Sequence, residues 1–235
     1  MTKTIVHIAL LFLISHLSKP VQASVYQINA DCLFSMVTQK KGFASSLAHN
    51  HFVTLPLTGM KIEADSSHPD RSHFSGEFKI EDLIFDDFSQ VKKWQTSLSS
   101  LGSFEAIFTE ISDKDREEIR THGLAEDQLN AKKHPGGAFK LKNIAPGSII
   151  GFEKFKYVVT ADLTISGKTS EIQIAANIDF SEKILKFEGI SKAKFSQFGI
   201  EPYTAFLGAV GNEDQFFIYT NCSATPAFEE KSLKP

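Results

Sequence analysis

The sequence has no block of like charge. Its 235 residues carry 25 Lys and Arg against 28 Asp and Glu, a net charge of −3, and both signs are spread along the chain. A nucleic-acid-binding domain is expected to gather its basic residues on one face or in one stretch. The sequence therefore predicts no nucleic-acid partner.

The sequence also lacks the local motifs of common catalytic sites. It contains no Gly-x-Ser-x-Gly, no His-Glu-x-x-His, no Cys-x-x-Cys and no glycine-rich phosphate loop ahead of a helix. We predict a protein that is not an enzyme and that needs no cofactor. A hydrolase whose catalytic residues are dispersed along the chain is the least favoured hypothesis.

Only one long apolar run is present, at residues 5–17, and His7 and His16 interrupt it. The run is too short to cross the roughly 30 Å hydrocarbon core of a bilayer comfortably, so an uncleaved anchor is the weaker interpretation. Lys3 precedes the run and Val21-Gln22-Ala23 follows it, as in a secretory signal peptide. We predict that residues 1–23 are removed, that the mature protein is periplasmic or secreted, and that it has no stable membrane anchor.

Cysteine is scarce. The two residues, Cys32 and Cys222, lie near opposite ends of the predicted mature chain. An even number of cysteines in an exported protein favours a disulfide. Two buried free thiols are the alternative, because only the fold decides whether the two side chains meet.

Phenylalanine is the abundant aromatic residue, with 21 Phe against 4 Tyr and 1 Trp. Burying so many rings requires either a core filled with phenylalanine or a cavity lined by it. Composition does not separate these two structures.

Alternating apolar and polar residues predict most of the strands. Phe74, Phe78 and Ile80 share one parity of a strand at residues 73–80, and residues 157–165 and 172–180 form a hairpin around Ser166-Gly167. A first strand is predicted within residues 24–37, ahead of a polar turn at Lys40-Lys41-Gly42, and the last strand within 216–222. The pattern predicts one all-β domain at residues 24–224, followed by a disordered tail at 225–235.

Two segments have helical spacing instead. Val91, Trp94, Leu98 and Leu101 recur every three or four residues, which predicts a short amphipathic helix that covers part of the strands. Ser112 is a capping residue ahead of an acidic turn, so a second helix should begin there, break at Gly123 and resume over residues 126–133. Many strands with only two short helical insertions favour a barrel or a sandwich.

The one local cluster of metal-binding residue types is Ala48-His49-Asn50-His51. In a strand, His49 and His51 would share a face about 7 Å apart, which suits two ligands of one metal or two donors to a polar head group. A zinc site would need further ligands, for which the sequence offers His68, His122, His134 and Asp162. The alternative is that both imidazoles bond to main chain near a barrel rim. We predict that both lie at the rim or polar end of a lumen.

Four stretches resemble the YceI-like family. They occur in the family's order and span most of the predicted mature chain: 42–51, 115–139, 161–167 and 195–200. Within them, Asp162-Leu163-Thr164 and Gly167 match an Asp-Leu-Thr-x-x-Gly hairpin, and Phe198-Gly199 matches a Phe-Gly pair. The chain departs from the family at Ala161, where glycine is usual, and at His134, which precedes Pro135 where tyrosine is usual.

The resemblance implies an eight-stranded, antiparallel, lipocalin-like barrel with a short helical insertion, and no catalysis. Its lumen would hold a polyisoprenoid chain such as a quinone precursor or a prenyl phosphate. In a closed barrel the first and last strands are neighbours, which would bring Cys32 and Cys222 into bridging range.

Three functions follow, in order of preference: an isoprenoid-lipid carrier, a periplasmic protein that binds a metal or a haem partner through His49 and His51, and the dispersed-site hydrolase. Whether the protein is a monomer or a homodimer stays open. For the lipid carrier, the residues predicted to face the ligand are mostly apolar and inward-pointing: Phe74, Phe78, Ile80, Val159, Leu163, Ile165, Ile174, Ile178 and Phe187, with His49 and His51 at the rim.

Overall fold

The computed structural model describes residues 24–56, 60–180 and 183–227. The predicted signal peptide at residues 1–23 and the end of the predicted tail, 228–235, lie outside the described residues. The described ranges contain twelve strands and two α-helices. The strands are β1 (Ser24–Ile28), β2 (Leu33–Lys41), β3 (Phe52–Thr54), β4 (Lys61–Ala64), β5 (His73–Lys79), β6 (Ile84–Phe85), β7 (Gly136–Pro146), β8 (Tyr157–Ile165), β9 (Lys168–Phe180), β10 (Leu185–Lys194), β11 (Thr204–Ala205) and β12 (Val210–Pro226); the helices are α1 (Phe88–Ser100) and α2 (Asp113–Leu124).

Eight of these strands close into an antiparallel barrel, as predicted. The order around the barrel is β1, β4, β5, β7, β8, β9, β10 and β12, and β12 pairs back onto β1. β12 also pairs with β2, which pairs in turn with β3, and β3 pairs with β6. The short strand β11 pairs with the start of β12. None of the helices in the described part of the chain is long and apolar enough to cross a membrane.

The predicted first strand is in fact two strands, and the prediction of a single element was wrong. β1 and β2 lie end to end along the same edge of β12, with residues 29–32 turning out of the ladder between them. Within the turn the Cys32 amide donates to the Asn29 carbonyl at 3.2 Å. Asn and Asp side chains favour such turns, and the Asn29 side chain donates to Ser223 Oγ on β12 at 2.7 Å.

Two other boundaries also differ from the predictions. Lys40 and Lys41 belong to β2, because the turn begins only at Gly42, whose φ of 102° suits glycine best. At the other end β12 runs two residues beyond the predicted limit of the barrel. Thr225 and Pro226 are therefore part of a strand that pairs with β1, and not part of the tail.

The interior and the outside of the barrel hold separate apolar cores. Along β8 the buried residues Ala161, Leu163 and Ile165 face inward with one parity, as the alternation predicted. On β9, β10 and β12 the opposite parity is also apolar, with Ala175, Ile190, Phe217 and Tyr219 fully buried outside the barrel. We call this second group, together with the residues that cover it, the outer core: Leu33, Val37, Phe52, Val91, Leu98, Leu101, Ala106, Phe152, Phe155, Ala175, Ile190, Phe217 and Tyr219.

Helix α1 covers the outer core, which confirms the predicted amphipathic helix. Val91, Leu98 and, just past the helix, Leu101 are buried, and Trp94 is half-buried at the edge. The helix starts one turn earlier than its apolar pattern because Asp87 caps it, accepting a hydrogen bond from the Ser89 amide at 2.9 Å.

Helix α2 begins after Ser112, as predicted, with the Ser112 hydroxyl accepting from the Asp115 amide. The predicted break at Gly123 is displaced by one residue. The helix continues to Leu124, and a Cβ at Gly123 would lie 2.8 Å from the Phe85 ring, so glycine allows the helix to approach β6 closely. Residues 126–133 form turns and do not resume the helix.

Cys32 and Cys222 form a disulfide, so the pairing favoured from the sequence is confirmed over two free thiols. Their Cα atoms are 4.3 Å apart across 190 residues of chain. The bond ties the turn between β1 and β2 to β12, at the place where the hydrogen-bonded ladder on that edge is interrupted.

Replacing both cysteines by alanine should lower the free energy of unfolding by up to about 5 kcal/mol, because a long loop is no longer closed in the unfolded chain. Denaturant unfolding of the oxidised protein and of the double variant measures the difference. Reduction of the wild type should produce a similar loss and leave the variant unchanged. Equal stability of the two oxidised proteins would contradict the prediction.

The cap of α1 should give stability that depends on pH. The hydrogen bond from the Ser89 hydroxyl holds the pKa of Asp87 below its ordinary value. A lowered carboxyl pKa contributes stability above the unfolded-state pKa, and this contribution is lost as the pH falls through the folded-state pKa. Asp87→Ala should therefore cost about 1 kcal/mol of unfolding free energy at neutral pH, and the gap to wild type should shrink below about pH 4. In Asp87→Asn, which keeps an accepting oxygen, a gap that varied with pH in the same way would contradict this origin.

Candidate functional site

A cavity of about 160 Å³ lies inside the barrel, and we call it the lumen cavity. Its wall combines inward positions of β2, β4, β5, β7, β8, β9, β10 and β12. Among the described residues that line it, the only polar side chains are those of Ser35, Ser72 and Thr220, and none is charged. Six phenylalanines are part of the apolar wall: Phe34, Phe74, Phe78, Phe139, Phe180 and Phe187.

Phenylalanine side chains therefore both line the cavity and fill the core, the two structures that the composition did not separate. Phe74 and Phe139 line the lumen cavity with ring centroids 5.3 Å apart. Phe195, Phe198 and Phe216 instead fill part of the interior core, with 4.7 Å between the Phe195 and Phe216 centroids. Along β12, Phe216 lies between Ile218, which lines the lumen cavity, and Asn212, which lines a second cavity described below.

Seven of the residues predicted to face a ligand line the lumen cavity: Phe74, Phe78, Val159, Leu163, Ile174, Ile178 and Phe187. Ile80 and Ile165 face inward but are not among the lining residues, and both are buried in the interior core. Ile165 is the last residue of β8, beside a turn that Ser166 anchors by donating to the Leu129 carbonyl at 2.8 Å. Alternation predicts which face a residue occupies but not its depth along the barrel.

The sequence pattern did not predict the contributions of β2, β4, β7 and β12. Phe34, Phe139 and Ile218 all line the lumen cavity. Alternation is a weak signal in β12, because Phe217 and Tyr219 are equally apolar and point into the outer core. In β7 the pairing with β8 shifts register between Leu141 and Asn143, which breaks the period of two.

Thr220 is the one polar side chain of the lumen whose hydroxyl is unsatisfied. Ser35 donates to the Tyr219 carbonyl at 3.0 Å, and Ser72 accepts from the Asp65 amide at 3.2 Å. In the described part of the chain, Thr220 Oγ1 is the only buried side-chain oxygen or nitrogen without a hydrogen-bond partner. The residue is 9% exposed and lies opposite Gly189 on β10. An unpaired hydroxyl at this depth costs about 1–3 kcal/mol and can bind an oxygen or nitrogen atom of a ligand.

The predicted arrangement of His49 and His51 on one face of a strand was wrong. Residues 45–47 form a 3₁₀ turn and β3 begins only at Phe52, so both histidines lie in the connecting loop. His51 Nδ1 is 2.8 Å from Asp86 Oδ2, and the other Asp86 oxygen accepts from the Phe52 amide at 2.8 Å. His51 thereby helps to fix the start of β3.

His51 also lines a second cavity of about 160 Å³ beneath α2, which we call the α2 cavity. His122 and Gly123 of the helix, Met36 and Thr38 of β2, and Asn212 of β12 are among its walls. Its polar groups distinguish it from the lumen cavity. His51 therefore lines the α2 cavity and not the lumen cavity, and His49 lines neither of the two.

Of the other residues considered as metal ligands, His122 shares the α2 cavity with His51, whereas His68, Asp162 and His134 do not line it. His68 pairs with Asp65 at 3.5 Å, Asp162 pairs with Lys142 at 3.5 Å, and His134 packs against Gly167. Within residues 24–56, 60–180 and 183–227, no group of three or more His, Cys, Asp or Glu side chains is arranged to hold a metal ion.

Residues 48–220 match the family model of the YceI-like domain. No curated protein sequence matches the chain.

Solved structures similar to this chain have low sequence identity to it. BcnA from Burkholderia cenocepacia is 17% identical, with a TM-score of 0.57 over 85% of this chain and 100% of its own. The Campylobacter jejuni YceI protein is 16% identical, with a TM-score of 0.47 over 97% and 100%. A polyisoprenoid-binding domain from Saccharophagus degradans is 8% identical, with a TM-score of 0.49 over 87% and 99%. The similarity to BcnA supports the barrel fold.

Thr220→Val should raise the free energy of unfolding of the ligand-free protein by about 1 kcal/mol, because it replaces an unpaired buried hydroxyl with a methyl group of similar shape. Urea unfolding measures the change. The matched control is Thr38→Val, which should be destabilising because the Thr38 hydroxyl accepts from the His51 amide at 3.3 Å. Equal destabilisation by both variants would contradict the view that the Thr220 hydroxyl is unpaired.

Proposed function

This chain belongs to the YceI-like family, and we propose that it is an exported, non-catalytic binding protein whose barrel holds a long polyisoprenoid-type lipid. The observation that carries this proposal is the chemistry of the lumen cavity, which is apolar apart from three hydroxyl-bearing residues and has no charged residue among its described lining.

An apolar lumen excludes charged and strongly polar ligands, because it offers few groups to replace their contacts with water. Burying a charged or strongly polar metabolite without partners costs several kcal/mol. A hydrocarbon chain instead gains about 0.8 kcal/mol for each CH₂ group removed from water. Ordering the flexible chain offsets part of that gain, so we expect affinity to rise with the number of isoprene units.

The volume of the cavity implies that a long ligand displaces side chains. A cavity near 150 Å³ accommodates about one aromatic ring. Met60 is suited to moving aside, because its unbranched side chain packs directly against Gly76, where there is no Cβ. Withdrawal of Met60 would open space along β5, next to the partly exposed rings of Phe74 and Phe78.

Thr220 favours a neutral head group within the lumen. Its unpaired hydroxyl can exchange a hydrogen bond with a carbonyl or hydroxyl oxygen of the kind that a quinone precursor carries. A phosphate at the same depth would be buried without a cation, since the described lining has no Lys or Arg. Of the two lipid classes considered, the quinone precursor is therefore the better match for this part of the cavity.

Export is proposed from two features. Residues 1–23 have the charge, apolar run and small-residue site of a signal peptide. The Cys32–Cys222 disulfide is typical of proteins that reside in an oxidising compartment. Together they favour a periplasmic or secreted location. No specific observation favours the metal-binding or hydrolase alternatives over the lipid carrier.

The test is to fill the lumen and measure binding of a prenol series. Ala176 lines the lumen cavity and pairs with Gly189, so the ring in Ala176→Phe would project into the cavity. This variant should bind farnesol, geranylgeraniol and longer prenols at least about tenfold more weakly, because several CH₂ groups lose their buried positions. The matched control is Gln173→Phe, which adds the same ring to an exposed position of β9 and should leave binding unchanged.

The wild type should also bind longer prenols more tightly, and lipid extracted from protein recovered from its native host should contain an isoprenoid by mass spectrometry. An affinity that did not depend on chain length, or equal binding by Ala176→Phe and Gln173→Phe, would refute the proposal.

A further inference from the structure

Four large apolar side chains project into solvent from two adjoining loops. Phe43 and Leu47 are 92% and 78% exposed, and Phe206 and Leu207 are 82% and 108% exposed. The loops are joined, since the Ala44 amide donates to the Ala209 carbonyl at 3.0 Å. We call these four side chains the tip surface.

The backbone at the tip surface adopts a conformation that its side chains disfavour. Phe206 has φ of 50° and Leu207 has φ of 56°, in the left-handed region where glycine and asparagine are usual. Bulky residues at such positions are uncommon, and they are not retained here for burial, because both side chains point into water. An unfavourable backbone that presents apolar groups to solvent favours a role in contact with another surface.

The charged residues within the two segments that carry the tip surface are both basic. Residues 39–49 and 202–212 contain Lys40 and Lys41 but no Asp or Glu. The acidic residues that precede or follow the second segment are Glu201, Glu213 and Asp214. Asp214 accepts hydrogen bonds from the Ser196 amide and hydroxyl at 2.9 and 2.8 Å, and its carboxylate also interacts electrostatically with Lys194 and Lys41. Apolar side chains beside lysines match a bilayer whose head groups are anionic.

We propose that the tip surface docks this protein onto an anionic phospholipid bilayer, with the four apolar side chains inserted at the interface. Lys40, whose ammonium group donates to the Ala48 carbonyl at 3.3 Å in the first loop, and Lys41 at the end of β2 would lie at the level of the head groups. The proposal rests on the proposed function, because a carrier of a membrane lipid has to exchange its ligand with a bilayer. Docking also orients the barrel. Tyr203 and Asn212, which line the α2 cavity, are joined by a 2.9 Å backbone hydrogen bond beside the second loop, so the α2 end faces the membrane.

The test is flotation of the purified mature protein with vesicles of phosphatidylglycerol and phosphatidylcholine, compared with phosphatidylcholine alone. The combined variant Phe43→Ser, Leu47→Ser, Phe206→Asn and Leu207→Asn should lower vesicle binding at least about tenfold, because the inserted apolar area is lost. Phe43→Ser with Leu47→Ser alone should give an intermediate loss. The matched control is Ile150→Asn, which removes a side chain that is 94% exposed at another site and should leave vesicle binding unchanged.

The contribution of Lys40 and Lys41 is expected to depend on the charge of the vesicles. Lys40→Gln with Lys41→Gln should weaken binding to vesicles that contain phosphatidylglycerol by about fivefold per lysine, which corresponds to roughly 1 kcal/mol each. Binding to phosphatidylcholine alone should not change. Loss of equal size on both vesicle types would contradict the charge assignment.

Farnesol binding in solution separates this proposal from the proposed function. The combined tip variant should bind farnesol as the wild type does, because the lumen cavity is unaltered. Farnesol binding without any vesicle binding by the wild type would overturn docking and leave the lipid carrier intact, whereas vesicle binding without farnesol binding would overturn the carrier. Self-association of the wild type that the tip variant abolishes, with no vesicle binding, would show instead that this face pairs two copies of the chain.

Discussion

Strand β12 is the element that closes the barrel. One of its edges pairs with β10, and the other pairs with β2 along most of its length and with β1 at its end. It can do so because it is 17 residues long, which is longer than any other strand in the described ranges. The disulfide at Cys222 secures the one point at which its second edge changes partner. Closure, the lumen cavity and the cover of the outer core all depend on this strand.

β12 also explains why the barrel has two cores. Consecutive residues point to opposite faces of a strand, so Phe217 and Tyr219 enter the outer core while Ile218 and Thr220 face the lumen. The Tyr219 hydroxyl stays satisfied in the outer core by donating to Glu188 at 2.9 Å, and burial raises its pKa to about 12. The hydroxyl of Thr220 has no such partner. Of these two neighbouring hydroxyls, that of Tyr219 is hydrogen-bonded and that of Thr220 is not. Only the Thr220 hydroxyl, which faces the lumen, is therefore available to a ligand.

Much of the fold could be predicted from local patterns, because β5, β8 and β9 alternate strongly and both helices carry caps or apolar spacing. The lumen residues on those strands were predicted for the same reason. The break at residues 29–32 depends on how a turn packs against β12, and the loop position of His51 depends on its contact with Asp86, 35 residues away. The unpaired state of Thr220 is a property of its surroundings in space. No local pattern carries these three facts.

Several residues of the stretches that resemble the family build one end of the barrel. Ser166 and Gly167, with φ of 50° and 71°, form the tight hairpin turn, and His134 packs directly over Gly167. Phe198 is buried and Gly199 ends its 3₁₀ turn with φ of 69°. These residues stabilise a scaffold, while the cavity wall is formed by apolar side chains that need only be of suitable size.

The outer core covers only one side of the barrel, so the strands on the two sides differ in how many substitutions they tolerate. On β9, β10 and β12 both faces are buried, so a substitution that reshapes the lumen is constrained by the outer core behind it. On β5 and β7 the outward side chains, such as Glu77, Lys140 and Lys142, are exposed to water. Evolution can therefore resize the cavity through the inward positions of β5 and β7 at the lowest cost in stability, and divergence of ligand preference among relatives should concentrate on that side.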